Sequence, residues 1–158
     1  MNDPEAFIQR LERNNSILQQ QVAGLTHAES IIQVEFPGRC LNWIVGHLVT
    51  YRDEMLRVLG AQPIWDADRH ERYSLNLADD HRSPPPVAFA HILDDWCLGQ
   101  NRLLAQLQQT TMADLTMISN DGERTVGQRI SALVWHETYH IGQTEIVRQL
   151  VAEVGPRP

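Results

Sequence analysis

Apolar residues recur at intervals of three and four in four long segments of the chain, and no segment alternates as a strand does. Such spacing lines side chains along one face of an α-helix, so the pattern predicts four helices. Phe7, Leu11, Leu18, Val22 and Leu25 mark the inner face of the first, over roughly residues 4–26. Asp3 followed by Pro4 supplies its start, with a carboxylate at the N-cap and a proline in the first turn, where no backbone donor is lost. Phe36-Pro37-Gly38 closes the loop that follows. The second helix runs from about Leu41 to Leu59, with Gly60 as its C-cap. Asn42, Gly46, Thr50, Asp53 and Arg57 form its expected solvent stripe, while Leu41, Ile44, Val45, Leu48, Tyr51, Met55 and Leu59 are apolar. His47 lies off that stripe and reads as inward-facing.

Residues 61–84 form a connection longer than a helix–helix turn in a bundle needs, which makes it a functional lid or a crossover. Trp65 and Tyr73 can pack over a cavity mouth or simply anchor it. His70 and His81 sit in its polar parts and read as solvated. Ser83 and the prolines 84–86 open the third helix, roughly residues 85–109, with the stripe Phe89, Leu93, Trp96, Cys97, Leu104 and Leu107. His91 reads as a surface or boundary residue. After a tight turn at Asn120-Asp121-Gly122, Thr125 and Gln128 make a capping box that starts the fourth helix, which continues to about Glu153. The expectation is one all-α domain over residues 1–158, a four-helix bundle in whose core facing helices can build a metal site.

Composition narrows the partners. A chain of 158 residues with 42% hydrophobic and 21% charged residues suits a globular domain rather than a disordered one. Its formal net charge is -7, and every basic residue is an arginine, scattered along the chain. Nucleic acid and anionic membrane surfaces are therefore poor partners. No apolar run approaches the roughly 20 residues of a membrane span. No signal peptide is visible at the N-terminus, so a cytoplasmic address is expected. Cys40 and Cys97 lie in apolar helical surroundings and read as buried free thiols.

The chemistry concentrates in Leu133-Val134-Trp135-His136-Glu137-Thr138-Tyr139-His140-Ile141-Gly142-Gln143. On a helix, His136 and His140 are offset by only about 40° and about 6 Å, so two imidazoles can reach one metal ion. The face that carries them continues as Leu133, Gln143, Val147, Leu150 and Val154, where core residues are expected. In a zinc peptidase of this pattern Glu137 would be the general base, but a third ligand downstream is lacking. Position 146 is an isoleucine, and the remaining glutamates, Glu145 and Glu153, lie on the same helix. His47, inward-facing on an adjacent helix, is the better third ligand. Three neutral imidazoles leave a coordination position open, as catalytic sites do, and nitrogen ligation suits zinc, nickel, copper or iron. Tyr51 and Glu54, beyond His47 on its helix, are candidates to orient the ligands, as is Gln143. Glu137 lies on a different line, with Leu133, Ile141 and Arg148, and reads as structural, either orienting a ligand or pairing with Arg148.

The segments Asn42-Trp43-Ile44-Val45-Gly46-His47-Leu48 and His136-Glu137-Thr138-Tyr139-His140-Ile141-Gly142-Gln143 resemble those of the DinB-like superfamily, small four-helix bundles related to the YfiT-like hydrolases and thiol transferases. The resemblance extends to length, helix number, the long second connection and the order of the histidines. It implies a divalent metal, often zinc or nickel, on His47, His136 and His140. It also implies an up-down-down-up topology in which the connection over 61–84 lets the second and third helices run parallel. Many such proteins are similar to S-transferases for bacillithiol, mycothiol or glutathione, so a small-molecule substrate and a low-molecular-weight thiol follow as expectations. A metal-dependent hydrolase or thiol S-transferase is the leading reading. A non-catalytic metal-binding stress-response bundle is the alternative. Spare apolar helix faces would also permit a homodimer.

Overall fold

The computed structural model describes residues 3–35, 39–74 and 87–154. The described residues form helices α1 (Pro4–Val22), α2 (His27–Ser30), α3 (Leu41–Val58), α4 (Ala67–Arg72), α5 (Phe89–Gln109), α6 (Met112–Thr116) and α7 (Val126–Val154). The four long ones are those the apolar periodicity predicts, although α5 begins at Phe89 rather than near residue 85, with Val87 and Ala88 outside it. Asp3 caps α1 by accepting from the amide of Ala6 at 2.7 Å. The capping box at α7 is formed in both directions, Gln128 N to Thr125 Oγ1 and Thr125 N to Gln128 Oε1.

Which helix ends meet decides the topology. Phe7 and Leu11 near the start of α1 share a core cluster with Ile130, Leu133 and Val134 near the start of α7, and with Met55, Leu103 and Leu107 near the ends of α3 and α5. A second cluster joins Leu18 and Val22, from the end of α1, to Val45 and Leu48 early in α3 and Phe89 and Ile92 early in α5. Helices α1 and α7 therefore run one way, and α3 and α5 the other: up-down-down-up. Since α3 and α5 are parallel, the chain between them must travel back along the bundle. The long second connection is that crossover.

Several expectations are corrected. Helix α1 ends at Val22, and Leu25 packs against the core from the loop beyond it, past Gly24 at φ +74°. Thr26 and Glu29 form a capping box that starts α2, a signal the apolar pattern alone passes over. The loop before α7 carries α6 and an isolated bridge between Ile118 and Thr125. Cys97 is exposed and Cys40 partly so, because Cys97 follows buried Trp96 and is turned about 100° away from the core. The expected solvent stripe on α3 is largely buried: Asn42, Gly46, Thr50 and Asp53 all lie inside. The crossover covers Asn42, Gly46 and Asp53 and satisfies the polar groups of Asn42 and Asp53, while Thr50 donates to the His47 carbonyl of its own helix at 2.8 Å. Asn42 donates to Val87 O at 2.9 Å, and Asp53 accepts from the amides of Ile64 and Trp65 at 2.6 and 3.0 Å. The turn at 36–38, His81, the opening at Ser83 and prolines 84–86, and residues 155–158 lie outside the described residues. Among the described residues no helix is long and apolar enough to cross a membrane.

Candidate functional site

Helices α3 and α7 are antiparallel neighbours, and this brings His47 opposite His136 and His140. The ring centroid of His47 lies 5.4 Å from that of His136 and 4.9 Å from that of His140. One ring nitrogen from each of the three lies within 4.8 Å of the other two. His136 Nε2 and His140 Nε2 are 3.1 Å apart.

The rings are held in place. His47 is sandwiched between Trp43, stacked at 4.6 Å, and Tyr51, edge-on at 4.7 Å. Its Nδ1–H donates to the carbonyl of Tyr73 at 2.7 Å. That fixes the tautomer and leaves Nε2 as a bare lone pair, buried and without a partner. Gln143 does the same for His140. Its side-chain amide donates to Tyr139 Oη at 3.1 Å, so its oxygen faces His140 Nδ1–H, 2.6 Å away. His136 is held by stacking on Tyr51, with centroids 3.7 Å apart and planes 15° from parallel.

Burial disfavours the imidazolium forms. It pushes His47 from the usual 6.5 down to about 4, against the pull of the Tyr73 carbonyl, with His140 adding to the depression. Burial and the two neighbouring imidazoles push His136 to about 4. His140 is lowered by burial and partly supported by Gln143. All three are neutral at pH 7, the state in which an imidazole can ligate a metal. A tetrahedral ion with nitrogens about 2.0–2.1 Å away holds them about 3.3 Å apart, and the His136–His140 pair is close to that already. The orphaned Nε2 of His47 is the donor atom such a group would take up.

Two of the three histidines, His47 and His136, line a cavity of about 600 Å³, open to solvent. Its walls include His47, Tyr51, Glu54 and His70 from α3 and the crossover, and Arg124, Arg129, Trp135 and His136 from the other side. The four supporting residues expected from the sequence therefore do different things. Gln143 hydrogen-bonds a histidine, and Tyr51 stacks on His136 and meets His47 edge-on. Glu54 lines the cavity but bonds to Arg57 and lies 3.4 Å from His70. His70 is partly exposed and stands apart from the triad.

Glu137 has a separate role. It is fully buried and paired to equally buried Arg52, with Nε to Oε2 at 2.9 Å and Nη2 to Oε1 at 3.2 Å. Asn14 donates to its Oε1 at 3.2 Å. The guanidinium also donates to Trp96 O and lies over the Trp96 ring. Its partner is thus Arg52, not Arg148. The buried line of α7 runs through Ile130, Leu133, Glu137, Ile141, Thr144 and Val151, and the histidines flank it.

Two supports escaped the sequence reading, the Tyr73 carbonyl and the Arg52–Glu137 pair. A trace of the first was present. Asn42, Gly46 and Asp53 form a small-and-polar line on α3 that suits a docking chain better than water. At Gly46 a Cβ would lie 2.3 Å from the Tyr73 ring. Tyr73 Oη meanwhile donates to Asn42 and accepts from Val87 N.

The sequence pattern of the DinB superfamily matches residues 10–144. The chain belongs to the DinB superfamily. A crystal structure of a conserved protein from Enterococcus faecalis has the same fold, with a TM-score of 0.76 at 17% identity over 97% of this chain and 99% of that one. No curated protein matches the sequence. Within the DinB superfamily fold, then, this chain carries three histidines that could hold a metal ion.

Proposed function

We propose that this chain is a divalent-metal-dependent enzyme, a hydrolase or thiol S-transferase, acting on a small molecule. One observation carries the reading: three neutral imidazoles converge, and two of them, His47 and His136, line an open cavity of about 600 Å³. That volume is in the usual range for small-molecule sites, and an open approach favours catalysis over a closed structural site. His47, His136 and His140 would hold the metal; a set of three imidazoles suits zinc, nickel, copper or iron, and the family resemblance favours zinc or nickel. When bound, such an ion is a Lewis acid that makes water or a low-molecular-weight thiol available as its anion near neutral pH.

The chain's own residues supply the rest. Tyr73 O and Gln143 hold the imidazole tautomers so that Nε2 of His47 and of His140 carries the lone pair. Tyr51 keeps the His136 ring in plane. Trp43 and Tyr51 close the wall behind His47 against water. Glu137 takes no part as a base, since it is enclosed with Arg52 and lines no part of the cavity.

Elemental analysis of the purified protein tests the reading. About one divalent ion per chain is expected, and His47→Ala, His136→Ala and His140→Ala should each lose it. Wild-type protein that binds no divalent ion when reconstituted overturns the proposal. Turnover of ester or amide substrates, compared with thiol conjugation of an electrophile, then separates hydrolase from transferase. The same reading includes a homodimer through α7, where Trp135, Tyr139 and Ile146 are 69%, 53% and 57% exposed. Sedimentation velocity of wild type and Trp135→Glu checks it, and a monomer at micromolar concentration overturns it.

A further inference from the structure

The metal reading leaves the far end of the cavity unused, and that end is built. Arg129 lies seven residues before His136 on α7, two helical turns away and on the same face, about 10 Å along the axis. Arg124, from the loop just before α7, lines the same end. Both guanidinium groups are positioned by one carboxylate. Asp121 Oδ2 accepts from Arg129 Nη1 at 3.1 Å and lies 3.6 Å from Arg124 Nε. Asp121 is itself locked, because its Oδ1 accepts from the amides of Glu123 and Arg124. Those backbone bonds hold its carboxyl below the usual range, so it stays ionised. This is the Asn120-Asp121-Gly122 turn, whose tightness is explained by Gly122 at φ +73°.

On the opposite wall Glu54, seven residues after His47, is bridged by Arg57 with His70 alongside. Its charge is therefore already matched. At this end two guanidinium groups, Arg124 and Arg129, thus share a single carboxylate, Asp121, in a chain whose formal net charge is -7. Asp121 engages Arg129 through one nitrogen, which leaves the rest of its fork for another acceptor.

We propose that the substrate or thiol carries a carboxylate, bound by Arg124 and Arg129 about two helical turns from its reacting atom. The cavity then works as a ruler, with the anion fixed at one end and the reacting group delivered to the histidines at the other. Guanidinium is suited to this because it binds carboxylates through paired N–H donors. The inference rests on the metal reading for the reacting end only, since the anion end uses none of the triad.

The test compares 6-mercaptohexanoate with 6-mercaptohexanol, which differ only in the charge at the far end. Both are titrated by calorimetry into the protein as metal-free and as cobalt(II)-loaded preparations. In the loaded protein the thiolate-to-cobalt absorption band reports the sulfur end. The carboxylate should bind about tenfold more tightly than the alcohol, the effect of one good charged contact. Arg129→Gln and Arg124→Gln should each bring the ratio toward one, and Arg102→Gln, on an arginine outside this cavity, should leave it unchanged. Arg124 is half exposed, so its variant folds even if Arg129→Gln does not. Equal affinities in wild type, or a preference that survives both variants, overturns the inference. A carboxylate preference that depends on the two arginines in metal-free protein supports it even if cobalt fails to bind, and that failure would count against the metal reading alone.

Discussion

Replacing Glu137 by glutamine should leave the metal site intact and cost the fold dearly. The carboxylate and its partner Arg52 are each 0% exposed, and they share two hydrogen bonds. Glutamine keeps the shape and one acceptor oxygen but removes the charge, so the guanidinium remains buried with that neutral oxygen, the Trp96 carbonyl and the Trp96 ring but no counter-charge. Removing one member of a buried pair costs about 3–5 kcal/mol, because the remaining charge is uncompensated. At about 2–4 °C per kcal/mol for a chain of this size, the melting temperature should fall by about 6–20 °C. Metal stoichiometry should stay near wild type, because Glu137 is not among the groups that converge with His47, His136 and His140. The double variant Arg52→Met/Glu137→Leu removes both charges and should recover more than half of the loss. Thermal unfolding by circular dichroism, with metal content measured on the same samples, reads both quantities. A variant as stable as wild type but devoid of metal would refute the reasoning and return Glu137 to the reacting centre.

Further outcomes follow from the surroundings of the histidines. His70→Ala and His91→Ala should keep the metal that each triad variant loses; elemental analysis reads this, and metal loss in His70→Ala would mean the crossover contributes a ligand. Gly46→Ala, which in an open helix would stabilise by about 1 kcal/mol, should instead destabilise by about 1–3 kcal/mol, since the new methyl meets the Tyr73 ring at 2.3 Å; denaturant unfolding measures it. Metal-free protein should lose stability as pH falls from about 6.5 to about 4. The unfolded chain takes up protons on these histidines in that window, and the folded chain, with His47 and His136 held near 4, does not. A melting temperature that rises as the solution is acidified through that range would contradict this sign.

Much of this protein is written in local pattern. The four long helices follow from periodicity, the starts of α1 and α7 from Asp3 and from Thr125 with Gln128, and the convergence of His136 with His140 from a spacing of one turn. His47 is also traceable, because an imidazole on an apolar line of a helix needs a reason to be there. What local pattern cannot carry is the identity of a partner distant in the chain. Glu137 sits in a motif suggestive of catalysis, yet its environment is decided by Arg52, 85 residues away. Asn42 and Asp53 look like part of a solvated stripe, and only the crossover laid over α3 makes them interior. The tautomer of His47 depends on a backbone carbonyl, which has no signature in residue type. Helical period is a property of neighbours along the chain, whereas burial and charge compensation are properties of neighbours in space. The sequence by itself therefore determined the four long helices and the histidine set, and tertiary packing alone decided which polar groups face the cavity and which are sealed in the core.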